Sequence, residues 1–268
     1  MKYFSNILIL LCFLAQVVKG QENNVGKELQ IFQNEAEKEL LTKHQDNPFL
    51  LLQSLNPGEQ LESKAWKKLL RKLDKRQVKS QNDSLRFLED IFFLTHRLLL
   101  EQYETHAYFS KTLDKGIYDC VSGSGAFALL LDRYSFNYKI IETEAHVYIL
   151  GGLGNSPFII ESTFPETGLI IGQSSVSEFE KQFKKTEPAM SSTPKYMGQI
   201  DRDMNRGLGT SIGLRELAGL QYYNDAIKRF FEEDYMGTFS QLLKAEFLYP
   251  SPRIEGFKQK IEALLTLE

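Results

Sequence analysis

Three residues whose types suit nucleophilic chemistry follow one another along the chain: Cys120, His146 and Glu161. Cys120 sits in Tyr118-Asp119-Cys120-Val121-Ser122-Gly123, just ahead of the apolar residues Ala126, Phe127, Leu129, Leu130 and Leu131. That spacing predicts a largely buried helix over Val121 to Tyr134 with the cysteine at its start, where the helix dipole and the unpaired amides of the first turn favour a thiolate. A small, inert residue at a helix start is the plain alternative. His146 opens a predicted strand and Glu161 lies on the next one, across a hairpin short enough to make them neighbours. Together the three could serve as nucleophile, proton acceptor and orienting carboxylate in attack on an amide carbonyl. Taken singly, His146 reads more simply as a half-buried strand histidine and Glu161 as an exposed strand carboxylate; their joint order and spacing favour a site.

The same residues carry a resemblance. Tyr118-Asp119-Cys120 before an Ala/Leu helix, then Glu142-Thr143-Glu144-Ala145-His146-Val147-Tyr148, then Ile160-Glu161-Ser162-Thr163-Phe164-Pro165, resembles the transglutaminase-like branch of the papain-like cysteine enzymes. The likeness covers about Gly116 to Gly168. It implies an α+β, papain-like core with Cys120 as nucleophile, His146 as base and Glu161 as third member, acting on an amide in a peptide or protein substrate. That chemistry needs neither a cofactor nor a metal. The fifteen-residue step from His146 to Glu161 is typical of the family, whose usual acid is Asp, one methylene shorter than Glu161. The backbone amide of Cys120 is one candidate oxyanion donor, and Tyr118 is the candidate second. Water or an amine could resolve the acyl-enzyme; hydrolysis is the expectation, since water is always present and no amine-binding feature stands out. NlpC-type cell-wall peptidases echo Tyr118-Asp119-Cys120 and His146-Val147 as well, but the interval from cysteine to histidine is short for them. The rival from another class is a non-catalytic envelope protein that keeps the fold as a binding or scaffold module.

The surrounding elements divide the chain into four stretches. Residues 1–20 read as a cleaved secretory leader: Lys2 precedes the apolar run Phe4 to Val18, which closes on Val18-Lys19-Gly20. The run is short for a membrane span, so a secreted or periplasmic protein beginning at Gln21, with no membrane helix, is the expectation, and an uncleaved anchor is the alternative. Residues 21–110 are leucine-rich with helical spacing. Phe32, Ala36, Leu40 and Leu41 mark one helix, Leu61 to Leu73 a second after the turn Asn56-Pro57-Gly58, and Leu85 to Leu99 a third that runs toward Tyr103 behind the capping cluster Asn82-Asp83-Ser84. Residues 111–213 hold the Cys120 helix and short β-rich runs over 137–143, 146–150 and 158–163, with Gly151 to Ser156 as a hairpin loop. From Gly172 to Gly213 an irregular connection is predicted, with one short helix near Val176 to Phe183. Residues 214–268 are helical again, and Tyr223, Asn224, Ala226, Tyr235, Ala245 and Pro250 resemble a tetratricopeptide register, with Thr238 where a small Ala is usual. One repeat is too little for a solenoid, so these helices either pack on the core or offer a docking face to a protein partner.

Composition narrows the classes. Hydrophobic residues make up 42% and charged residues 25% of the 268, as in an ordinary globular chain. Lys2 and Lys19 lie in the leader, so the remainder has 30 basic against 35 acidic side chains. A net charge of -5 is unsuited to nucleic-acid binding. Of the two cysteines, Cys12 lies in the leader, so Cys120 cannot form an internal disulfide in the mature chain. His44, His96 and His106 share no metal-ligand spacing. Gly207 to Gly213 lacks the lysine of a phosphate loop, and Gly123-Ser124-Gly125 lacks the spacing of a nucleophile elbow.

Overall fold

The computed structural model describes residues 31–58, 63–81, 83–185 and 209–266. The expected leader over 1–20, with Cys12, lies outside them, as do Leu61 and Asn82. Contacts part the chain into Met1–Ile31 and Phe32–Glu268, and every element below belongs to the second unit.

The chain is an α+β protein. Two helices, α1 (Glu35–Lys43) and the short α2 (Pro48–Leu51), lead into an antiparallel pair, α3 (Lys64–Ser80) and α4 (Ser84–Leu98). Each helix start is set by a polar side chain that accepts a first-turn amide: Asn34, Asn47, Ser63 and Asp83. Helix α4 ends at Leu98 rather than running on toward Tyr103. The chain there extends into β1 (Gln102–Tyr103), which pairs in parallel with β2 (Ile117–Tyr118) across the intervening α5 (Phe109–Lys115). The Cys120 helix, α6 (Cys120–Arg133), follows directly.

Beyond α6 come β3 (Asn137–Glu142), β4 (Val147–Leu153), β5 (Ser156–Ile160), β6 (Leu169–Ile171), α7 (Gln173–Lys185) and β7 (Thr210–Ile212). The five strands form one antiparallel sheet in the order β6-β5-β4-β3-β7. Its pleat sorts the side chains. Ile140, Ile149 and Ile160 are register partners in one row, while Ile141, Tyr148 and Ile159 point to the other face, against Val176 and Phe179 of α7. Helix α6 packs on β3 and β4, so the isoleucine row and α6 share a layer. Helices α8 (Leu214–Phe231), α9 (Tyr235–Leu248) and α10 (Pro252–Leu265) complete the chain, with α8 packed against α6.

Two expectations for this region change. The connection after Gly172 opens with a 13-residue helix and closes with a strand. Expected loop residues Gly151 and Gly152 belong to β4, and the turn shrinks to Gly154-Asn155. Gly151 faces Phe158 in register, and a Cβ there would lie 2.2 Å from Phe158 Cζ, so this glycine serves ring packing. Gly154, at φ +58°, takes the left-handed conformation that the first position of a tight hairpin turn demands.

Candidate active site

Asp119 builds the cysteine's position. It is the N-cap of α6, its carboxylate accepting the Ser122 amide at 2.7 Å and the Ser122 hydroxyl at 2.8 Å, while its own N–H donates to Ser122 Oγ at 2.9 Å. Asn224 of α8 adds a side-chain hydrogen bond to the same carboxylate. This closed capping box makes Cys120 the first helical residue. The helix then lies close to the strand end bearing the acid: a Cβ on Gly123 would come within 2.8 Å of Ser162 Cβ. Glycine inside a helix costs about 1 kcal/mol against alanine; here it allows α6 and the Glu161-Ser162 segment to touch.

His146 stands just before β4 and Glu161 just after β5. Pairing of Leu150 with Ile159 and of Ile149 with Ile160 carries Glu161 opposite Tyr148, one diagonal step from His146. The longer glutamate side chain spans that step, and His146 Nε2 is hydrogen-bonded to Glu161 Oε2. The other oxygen, Oε1, accepts the Thr163 amide at 2.9 Å and its hydroxyl at 2.6 Å. Glu161 is 1% exposed and His146 21%. Burial pushes the Glu161 carboxyl up, but the hydrogen bond and charge of His146 with the two Thr163 donors bring it below its ordinary value. With Nε2 engaged by the acid, any proton exchange between this imidazole and a nucleophile would run through Nδ1.

Cys120 is partly exposed, and its thiol lies against the start of β4, where the backbone amide of Val147 is hydrogen-bonded to it. Its protonation departs from the thiolate expected at a helix start. Burial first, then the adjacent Asp119 carboxylate, push the thiol well above its ordinary value; the Val147 and Cys120 amides only partly oppose this. Asp119 is itself raised to about 6 by burial, against the hydrogen bonds of Ser122, Val121 and Asn224. The dipole acts at this helix start, but burial of the thiol, with the Asp119 carboxylate one residue away, outweighs it.

Two neighbours were not legible as site residues. His96 of α4 lies among Phe92, Phe127 and Tyr118 at ring distances of 4.7, 5.5 and 6.1 Å. Neither of its nitrogens has a hydrogen-bond partner, and burial lowers it to about 4 although the Glu161 charge opposes this. It is a neutral ring against the inner side of the site. Tyr103, paired with Tyr118 across the β1–β2 bridge, is half exposed beside the cysteine. Tyr118, the sequence candidate for an oxyanion donor, is buried.

The C-terminal helices brace the site. Arg253 of α10 is ion-paired with Glu142 and donates to the Glu144 carbonyl at 3.2 Å, and Tyr249 donates to Glu142 at 2.6 Å. These contacts hold the loop that ends in His146, whose carbonyl accepts the Thr143 amide at 2.8 Å. Arg253→Ala leaves Glu142 buried with one partner fewer, so a loss of about 2 kcal/mol is expected in urea unfolding. A change below about 0.5 kcal/mol would show that the clamp contributes nothing.

Among the described residues, no group of three or more His, Cys, Asp or Glu is arranged to hold a metal ion, and no helix is long and apolar enough to cross a membrane. His44 ends α1 and His106 lies in the turn before α5. No family model, no curated protein and no solved structure matches the chain.

Proposed function

We propose that the chain is a transglutaminase-like cysteine enzyme that hydrolyses an amide in a peptide or protein, through Cys120, His146 and Glu161. The observation that carries this is the pairing of His146 Nε2 with Glu161, whose second oxygen is held by Thr163, while the Cys120 thiol faces the amide of Val147, the residue after that histidine. Such a carboxylate sets the imidazole tautomer and stabilises its cation, which is what a general base needs.

In this reading the nucleophile rests as a thiol and is activated on attack. His146 Nδ1 takes the thiol proton as the sulfur bonds to the substrate carbonyl carbon, and the Cys120 backbone N–H stabilises the oxyanion. Collapse breaks the C–N bond, and the imidazolium returns its proton to the leaving amine. Water, deprotonated by His146, then attacks the thioester carbonyl; the C–S bond breaks, His146 returns the proton to the Cys120 sulfur, and a carboxylic acid is released. An amine in place of water would instead form a new amide. A secreted or periplasmic setting belongs to the same proposal.

One observation favours a second reading, a non-catalytic binding module with the same fold: burial and Asp119 keep the thiol protonated. The two separate on acylation. Mature protein is mixed with N-acetylglycine p-nitrophenyl ester, acid-quenched and weighed by intact mass. The enzymatic reading expects an acyl adduct on Cys120 and continued p-nitrophenol release, both reduced at least about 100-fold in His146→Ala. An adduct rate that is the same in both proteins makes the site a module.

A further inference from the structure

We propose that Tyr103 donates the second oxyanion hydrogen bond of this site, a role that rests on the enzymatic reading above. The placement is built by the backbone. Tyr103 and Tyr118 are register partners in the parallel bridge, and the next amide, that of Glu104, donates to the Tyr118 carbonyl at 2.8 Å. Tyr118 leads through Asp119 into Cys120, so the bridge fixes Tyr103 beside the chain entering α6. The two rings then divide their roles. Tyr118 is 3% exposed, its ring packed by His96 on one side and Tyr103 on the other, and its Cδ2 lies 3.1 Å from where a Cβ on Gly123 would be. Tyr103 meets it edge-on at 6.0 Å and is 49% exposed, so of the two rings it is the one that solvent or a substrate can reach.

Electrostatics support the assignment. Burial, followed by the charges of Cys120, Asp119 and Glu161, raises the Tyr103 phenol to about 12. These groups are near enough to act on the phenol, and they keep its O–H as a donor at every pH where the site would work. The Cys120 amide supplies one hydrogen bond to a developing oxyanion, and a second donor from a neighbouring strand completes the usual pair.

The test compares Tyr103→Phe with wild type in two reactions at Cys120. N-acetylglycinal adds reversibly: the Sγ–C bond forms, the carbonyl π bond opens, and the thiol proton passes through His146 to the oxygen, so the adduct depends on oxyanion donors. Iodoacetamide displaces iodide at a saturated carbon and forms no oxyanion. Tyr103→Phe is expected to weaken the aldehyde adduct and lower kcat for N-acetylglycine p-nitrophenyl ester by about 100-fold. KM and the iodoacetamide rate should stay within twofold. Aldehyde affinity within threefold of wild type overturns the role, and so does an iodoacetamide rate that falls in step, since the ring would then act on the thiol. If the wild type is alkylated by iodoacetamide yet neither binds the aldehyde nor cleaves the ester, the enzymatic reading itself fails and takes Tyr103's role with it.

Discussion

On the proposed enzymatic reading, Glu161→Gln is expected to lower kcat/KM by about 1,000-fold while leaving the fold in place. The amide is isosteric, and its oxygen can still accept the Thr163 amide and hydroxyl that now hold Glu161 Oε1. Its NH2 then faces His146 Nε2, in place of Glu161 Oε2. A donor facing Nε2 forces the imidazole proton onto Nδ1, the nitrogen that must be empty to accept a proton from the thiol. The variant would therefore keep its histidine in the wrong tautomer. Ester cleavage at neutral pH measures the loss. A second readout separates tautomer from misfolding: at strongly alkaline pH, where hydroxide deprotonates the sulfur without help, wild type and variant should be alkylated at the same rate. A loss below about 10-fold would mean that the carboxylate does not direct the base.

Much of this arrangement was legible because hairpins obey simple arithmetic. His146 and Glu161 lie in β-branched runs joined by a glycine-rich turn, so their approach followed from sequence spacing. The methylene by which Glu161 exceeds an Asp, the usual acid of the family the sequence resembles, spans the diagonal step between residues that both stand outside the paired strands. The Cys120 helix was legible too, because the apolar run behind the cysteine is long; the Asp119–Ser122 box that fixes its first residue emerges only in the structure. Thiol protonation was not. A helix-start cysteine suggests a thiolate, and burial of the thiol, followed by the charge of Asp119 beside it, reverses the sign. Short elements also escaped: β1, β2 and β7 have two or three residues each, too few to show a period, and the pairing of Tyr103 with Tyr118 is tertiary information. The C-terminal register suggested either packing or docking, and Asn224, Tyr249 and Arg253 reach toward Asp119, Glu142 and the loop before His146.

Between about pH 4 and 6.5 the two buried groups flanking this site should drive stability in opposite directions, so that replacing either one exposes the other. Asp119 moves from an ordinary 3.8 up to about 6 through burial. Over that interval the folded state holds a proton the unfolded state has lost, so stability falls as pH rises, by on the order of 3 kcal/mol in all. His96 moves the other way, from 6.5 down to about 4, again through burial. The unfolded chain there binds a proton that the folded ring refuses, so its contribution is full above pH 6.5 and is lost as pH falls toward 4, by a similar amount. The two slopes nearly cancel in the wild type. Asp119→Asn keeps a capping side-chain oxygen but no longer titrates. Relative to wild type it should gain stability steadily from pH 4 to 6 and stay level above, leaving the His96 slope uncovered. His96→Leu, which breaks no hydrogen bond because neither ring nitrogen makes one, should show the opposite trend, losing stability from pH 4 to 6. Urea unfolding at half-unit steps of pH measures both, and variant curves that run parallel to wild type would refute the two burial arguments. Asp119→Asn adds an independent signature at the nucleophile. With the adjacent carboxylate charge gone, the thiol loses one of the two main causes of its raised pKa, and the iodoacetamide profile should move to lower pH. If it stays in place, burial alone holds the Cys120 proton.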